Sequence, residues 1–183
     1  EITELSFQRG TRSAETQTMA VDFDLLDTVT WQRYVRARGL SSTGIADQMY
    51  RIGLAQHVQN QLRPLRAAVL LFADQPGALL AASGTRADVR VFHYKGMAMQ
   101  LGEAPNLKKP PKTLSGPLHE LITATHAYVL DELAQGLTMA ASGFQTVHRY
   151  PQRVIKEAIT NALIHRDYRL NRDIHIRIFD NRI

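Results

Sequence analysis

The pattern that most restricts the fold lies near the end of the 183-residue chain. Val154, Ile155, Ala158, Ile159, Ala162 and Leu163 form adjacent apolar pairs that recur every four residues. That is the period of an α-helix with one wide buried face. Pro151 suits the first turn, where its missing N–H would have no intrahelical partner. The period then changes to two. In DIHIRIF, residues 173–179, Ile174, Ile176 and Ile178 fall on one side and His175 and Arg177 on the other, as in a half-buried strand. A one-faced helix followed by a one-faced strand predicts an α/β fold in which the two share a core.

Upstream, the sequence predicts a helical N-terminal part, then a mixed sheet with a long packing helix. Residues 1–20 are polar and turn-rich and read as a linker or the tail of a preceding domain. A helix is expected from Leu25 to Arg38, capped by Asp24 or Asp27, with Leu26, Val29, Tyr34 and Val35 inward and Gly39 as its stop. A second, Gly44 to Ala55, would be capped by Ser41-Ser42-Thr43 and would bury Ile45, Met49, Ile52 and Leu54. Two helices joined through a glycine turn have the outline of half a helix-turn-helix, and equally of a plain packing pair. RAAVLLFA at 66–73 suits a buried strand or a short core helix, and periodicity does not decide. Pro76-Gly77 should break the chain. Residues 88–94 alternate as a strand, 95–113 read as a loop, 116–133 as a long helix and 144–149 as a strand.

Apolar residues make up 44% of the chain, enough to bury a core. No apolar run reaches the roughly 18 residues that span a bilayer, and the opening EITELSFQRG lacks a signal pattern. Cysteine is absent, which excludes disulfides and thiolate metal sites. Together these point to a cytoplasmic protein without membrane contact. The net charge of +5 is spread over small clusters: Arg33, Arg36 and Arg38; Lys108, Lys109 and Lys112; Arg166, Arg169 and Arg172. Such a surface predicts weak, sequence-independent nucleic-acid binding, or is ordinary solubility charge.

On the 151–165 helix, Glu157, Asn161 and His165 stand at i, i+4 and i+8 and form one polar stripe beside the apolar face. A carboxylate there can activate a water. An amide oxygen one turn on can ligate Mg²⁺ held by phosphates. A solvated helix edge has the same spacing. His57, His93, His119, His126, His148 and His175 show no HxxxH or HExxH spacing, so structural zinc is not expected. Trp31 reads as a core anchor.

EAITNALIHRDY, residues 157–168, resembles the signature of the Schlafen/AlbA-type, RecG-like family of bacterial transcriptional regulators. RAAVLLFADQP, RVFHYKGM and FQRGTRSAE resemble further stretches of that family more loosely. In it the NAlxHRDY helix is similar to the N-box helix of GHKL ATPases. The resemblance implies that Glu157 is the catalytic base and that Asn161 is the Mg²⁺ ligand and binds cofactor, with His165 beside it. It implies a division into the tail of an AlbA-type domain (1–20), a middle region (21–143) and the start of a GHKL-like domain (144–183). ATP and Mg²⁺ would then be cofactors of the full-length protein and absent from this piece. The adenine-binding motif, glycine boxes and ATP lid would follow the 173–179 strand. FDNRI carries Asn181 where the family has an acid, and no GxxxxGK[ST] appears, so helicase action is not implied. The leading expectation is a nucleotide-sensing, DNA-binding regulator that self-associates. The alternatives are a Mg²⁺-dependent ATPase using Glu157, and a dimerisation module without catalysis.

Overall fold

The computed structural model describes residues 14–40, 44–100, 102, 105–140 and 143–183, with 135–140 and 143–148 described by their backbone alone. The fold is α/β, in two units, the first made of 1–87, 115–118 and 167–172 and the second of 88–114, 119–166 and 173–183.

In the first unit the expected helix from Leu25 is two pieces. A 3₁₀ turn, Phe23–Leu26, is followed by α1, Val29–Arg38. The cap is Thr28, not Asp24 or Asp27. Its hydroxyl accepts from the Trp31 N–H at 3.3 Å and donates to the Phe72 carbonyl at 2.6 Å. The break rotates Val29 outward, leaving it 74% exposed instead of inward. Trp31 is buried edge-on against Phe72, ring centroids 4.9 Å apart, as the core anchor expected of it. Gly39 ends α1 at φ +60°, a conformation that costs other residues about 1 kcal/mol or more.

Helix α2 covers only Ile45–Arg51, because Gly53 at φ +77° turns the chain and Ala55 opens a strand. The proposed 41–43 cap lies outside the described residues. Strands β1 (Ala55–Val58) and β2 (Gln61–Pro64) pair antiparallel across Gln59 and Asn60, both at positive φ. That is a two-residue hairpin turn without the glycine that usually announces one. Thr18 bridges Leu65, adding an edge to the hairpin. The ambiguous 66–73 run is α3, Arg66–Phe72, in keeping with its alanines and leucines and its single β-branched residue. The break expected at Pro76-Gly77 falls just ahead of it, between Phe72 and Pro76. Pro76 occupies the first position of α4, Pro76–Leu80. Leu26, Trp31, Met49, Val69, Leu80 and Tyr168 are buried in this unit's core.

The second unit is built on a mixed three-stranded sheet. Strand β3 (Val89–His93) pairs antiparallel with β4 (Lys112–Leu114) and parallel with β7 (Ile174–Ile178), in the register Val89↔Ile174 to His93↔Ile178. The expected 95–113 loop therefore ends in a short strand. Helix α5 (Leu118–Glu132), within the helix expected at 116–133, buries Leu121, Thr125 and Val129. Strands β5 (Ala134–Ala140) and β6 (Gly143–His148) form a separate antiparallel ladder, of which only the second was expected. Helix α6, Gln152–Ile164, buries Ile155, Ile159 and Leu163. Among the described residues no helix is long and apolar enough to cross a membrane.

Candidate functional sites

Two places in the second unit gather groups capable of chemistry. The first is the stripe on α6. Glu157 and Asn161 lie one turn apart in the helix and are exposed. His165 is exposed too, but it is the first residue beyond the helix, with its N–H bonded to the Asn161 carbonyl at 3.0 Å. An apolar groove of about 230 Å³ runs between α6 and β7, lined by Ile155, Ala158, Ile159, Ala162 and Leu163 on the helix and by residues 174–177 of the strand, with Val89 and Ile183. Ala158 and Ala162, expected to be buried, are open at its edge. Glu157 precedes Ala158 by one residue, about 100° around the helix, and neither Glu157 nor Asn161 lines the groove. Asn161 offers a metal one oxygen. Among the described residues no group of three His, Cys, Asp or Glu side chains is placed to hold an ion. Mg²⁺ at Asn161 would need phosphate oxygens to complete its shell.

The second place is the end of the parallel strand pair. His93 is the last residue of β3, Glu132 the last of α5, and Asp180 follows β7. The Glu132 side chain is 6% exposed. One oxygen lies 2.8 Å from His93 Nδ1 and the other takes Lys109 Nζ. A carboxylate only accepts, so Nδ1 carries the proton and Nε2 is left to accept from Lys108 Nζ at 3.1 Å. Lys108 also reaches Asp180 Oδ1 at 3.0 Å, and Asp180 Oδ2 accepts the Gly96 N–H at 2.7 Å. Burial pushes the Glu132 pKa up, but the hydrogen bonds from Lys109 and His93 outweigh it and hold the carboxyl below its ordinary value. The Lys108 and Gly96 hydrogen bonds hold Asp180 down in the same way. Phe179 stacks on Tyr94 at 5.0 Å, with the Arg182 guanidinium 4.6 Å from its ring centre.

The polar cluster is not marked in the sequence. His93 and Glu132 are 39 residues apart, and no local spacing joins them. The traces are the basic pair Lys108-Lys109 and the titratable residues His93 and Glu132 that end β3 and α5. The HRDY segment has a structural role. Asp167 pairs with Arg169 at 2.8 Å, and Tyr168 is buried in the first unit, its carbonyl accepting from Thr85 Oγ1 at 2.9 Å. Compared with known proteins, the chain matches no family model, no curated sequence and no solved structure.

Proposed function

We propose that this chain is the middle part of a nucleotide-responsive bacterial regulator of the Schlafen/AlbA-type, RecG-like kind, with α6 serving as its N-box-like helix. The observation that carries this reading is the pairing of Glu157 and Asn161. They stand one turn apart and open to solvent, on a helix whose opposite face is buried. A group docking on that face meets a carboxylate and an amide together. Bound Mg²⁺ would supply charge neutralisation for phosphates, Asn161 would give it one oxygen, and Glu157 would hold a water by its carboxylate. The first unit supports the nucleic-acid half of the reading. Its α1–α2 pair, turned at Gly39 and followed by the β1–β2 hairpin, leaves Arg33, Arg36 and Arg38 outside the core.

The test is calorimetric titration of Mg-ATP into the full-length protein and its variants. Asn161→Ala should weaken binding by about tenfold or more, whereas Glu157→Gln should spare binding and remove turnover. The 183-residue chain alone should give no signal into the millimolar range, because one amide ligand without a phosphate cradle is not a nucleotide site. Equal ATP affinity in the wild type and Asn161→Ala would sink the reading.

A further inference from the structure

At the ends of β3 and β7 every carboxylate oxygen already faces a donor while cationic donors remain, and from this we propose that the crevice binds the anionic group of a small molecule, a phosphate or a carboxylate. The inference is independent of the Glu157–Asn161 reading.

Its place in the fold is the first argument. β3 and β7 are adjacent and parallel, and they end together at His93 and Ile178. In open α/β sheets, ligands settle in the crevice outside the carboxyl ends of such strands. Here the crevice is about 220 Å³, with Leu133, Ile178 and Phe179 as apolar lining and His93, Lys108, Arg149 and Asp180 as polar lining.

The hydrogen-bond inventory is the second argument. Both oxygens of Glu132 and both of Asp180 already receive a donor. His93 Nε2 receives one from Lys108. Lys108 has three N–H groups and directs two of them inward, to His93 and Asp180, leaving the third. The Arg149 guanidinium lies over the Tyr150 ring at 5.8 Å, and among the described residues no acceptor takes its N–H fork. Three cations, Lys108, Lys109 and Arg149, thus meet two carboxylates. An incoming oxyanion would find an ammonium N–H and a guanidinium, the pair that recognises phosphate and carboxylate by charge-assisted hydrogen bonds. A cation would meet carboxylates that Lys108, Lys109 and His93 already hold.

The experiment is calorimetric titration of the chain at low ionic strength, without Mg²⁺ or nucleotide. The probes are inorganic phosphate, pyrophosphate and succinate. One-to-one saturable binding of phosphate or pyrophosphate identifies a phosphoryl site, and binding of succinate instead identifies a carboxylate site. Lys108→Met and Arg149→Gln should each weaken the bound probe by about tenfold or more. Asp180→Asn, which releases Lys108 from its competing partner, should tighten it. Lys112→Met, on β4, should change nothing. Lys108 and Arg149 are exposed, so unchanged melting temperatures are expected and separate loss of the site from loss of the fold. No saturation by any probe up to about 10 mM, equal binding in Lys108→Met, or weaker binding in a folded Asp180→Asn overturns the proposal.

Discussion

Thr85 donates its hydroxyl proton to the backbone carbonyl of Tyr168 at 2.9 Å, with both residues buried and 83 positions apart in the chain. This bond fixes the 167–172 segment into the first unit's core. Thr85→Val keeps the shape but leaves the carbonyl without that donor, and should cost about 1–3 kcal/mol. Tyr168→Ala empties a large buried volume and should cost about 3–5 kcal/mol. Urea unfolding of both variants checks the order. A Tyr168→Ala protein as stable as the wild type would show that the segment does not matter to the core.

Glu132 makes the second unit acid-sensitive. Its folded pKa lies below its unfolded value, so the folded state binds fewer protons and stability rises with pH. The contribution is fully present above the ordinary glutamate value near about 4.3 and is lost as pH falls through the lower folded value. Melting temperatures from pH 7 to pH 2 should drop steeply below about pH 4. Glu132→Gln should melt lower at neutral pH and show a shallower acid limb. An unchanged limb would mean that Glu132 is not the group responsible.

His175 predicts a separate, milder transition. Burial and the charges of Arg177 and Arg90 hold its pKa below the ordinary imidazole value. The unfolded chain therefore takes up the proton first, and stability present above about pH 6.5 declines as pH falls towards the folded value. His175→Gln should remove the loss that begins below about pH 6.5 while leaving the carboxylate limb in place. Thermal melts on closely spaced buffers resolve the two.

The α6 stripe can be tested for function without disturbing the fold. Glu157→Ala and Asn161→Ala replace exposed side chains and should shift stability by no more than about 0.5 kcal/mol. Ile159→Ala, on the buried face of the same helix, should cost about 2–5 kcal/mol. Denaturant midpoints distinguish them. A large loss in Asn161→Ala would assign that side chain a packing role.

What the sequence disclosed was what is local. The apolar pairs of α6 and the alternation of β7 are written within a few turns of chain, and both elements formed where the pattern placed them. The break before α1 was hidden because Thr28 caps the helix while also holding the carbonyl of Phe72, a partner 44 residues away. The β1–β2 hairpin was hidden because Gln59 and Asn60 take positive φ without a glycine between them. Val29 shows the cost of misplacing one cap: it moved a residue from the expected core to the surface. The His93–Glu132 pair was illegible for a different reason. It exists only because β3 and α5 end side by side, and no periodicity encodes where two elements stop.

The segment 167–172 leaves the second unit, contributes Tyr168 to the first and returns to supply β7. On the ribosome this sets a strict order of completion. Residues 1–87 emerge early but lack their tyrosine anchor, and β3 waits for a parallel partner about 85 residues further along the chain. At roughly 5–20 residues per second, the N-terminal part spends several seconds exposed with an unfinished core. No single scissile point divides the chain into two self-sufficient halves. A stop codon shortly before residue 167 would deprive both units at once, and nascent chains of that length are the ones that should call most heavily on chaperones.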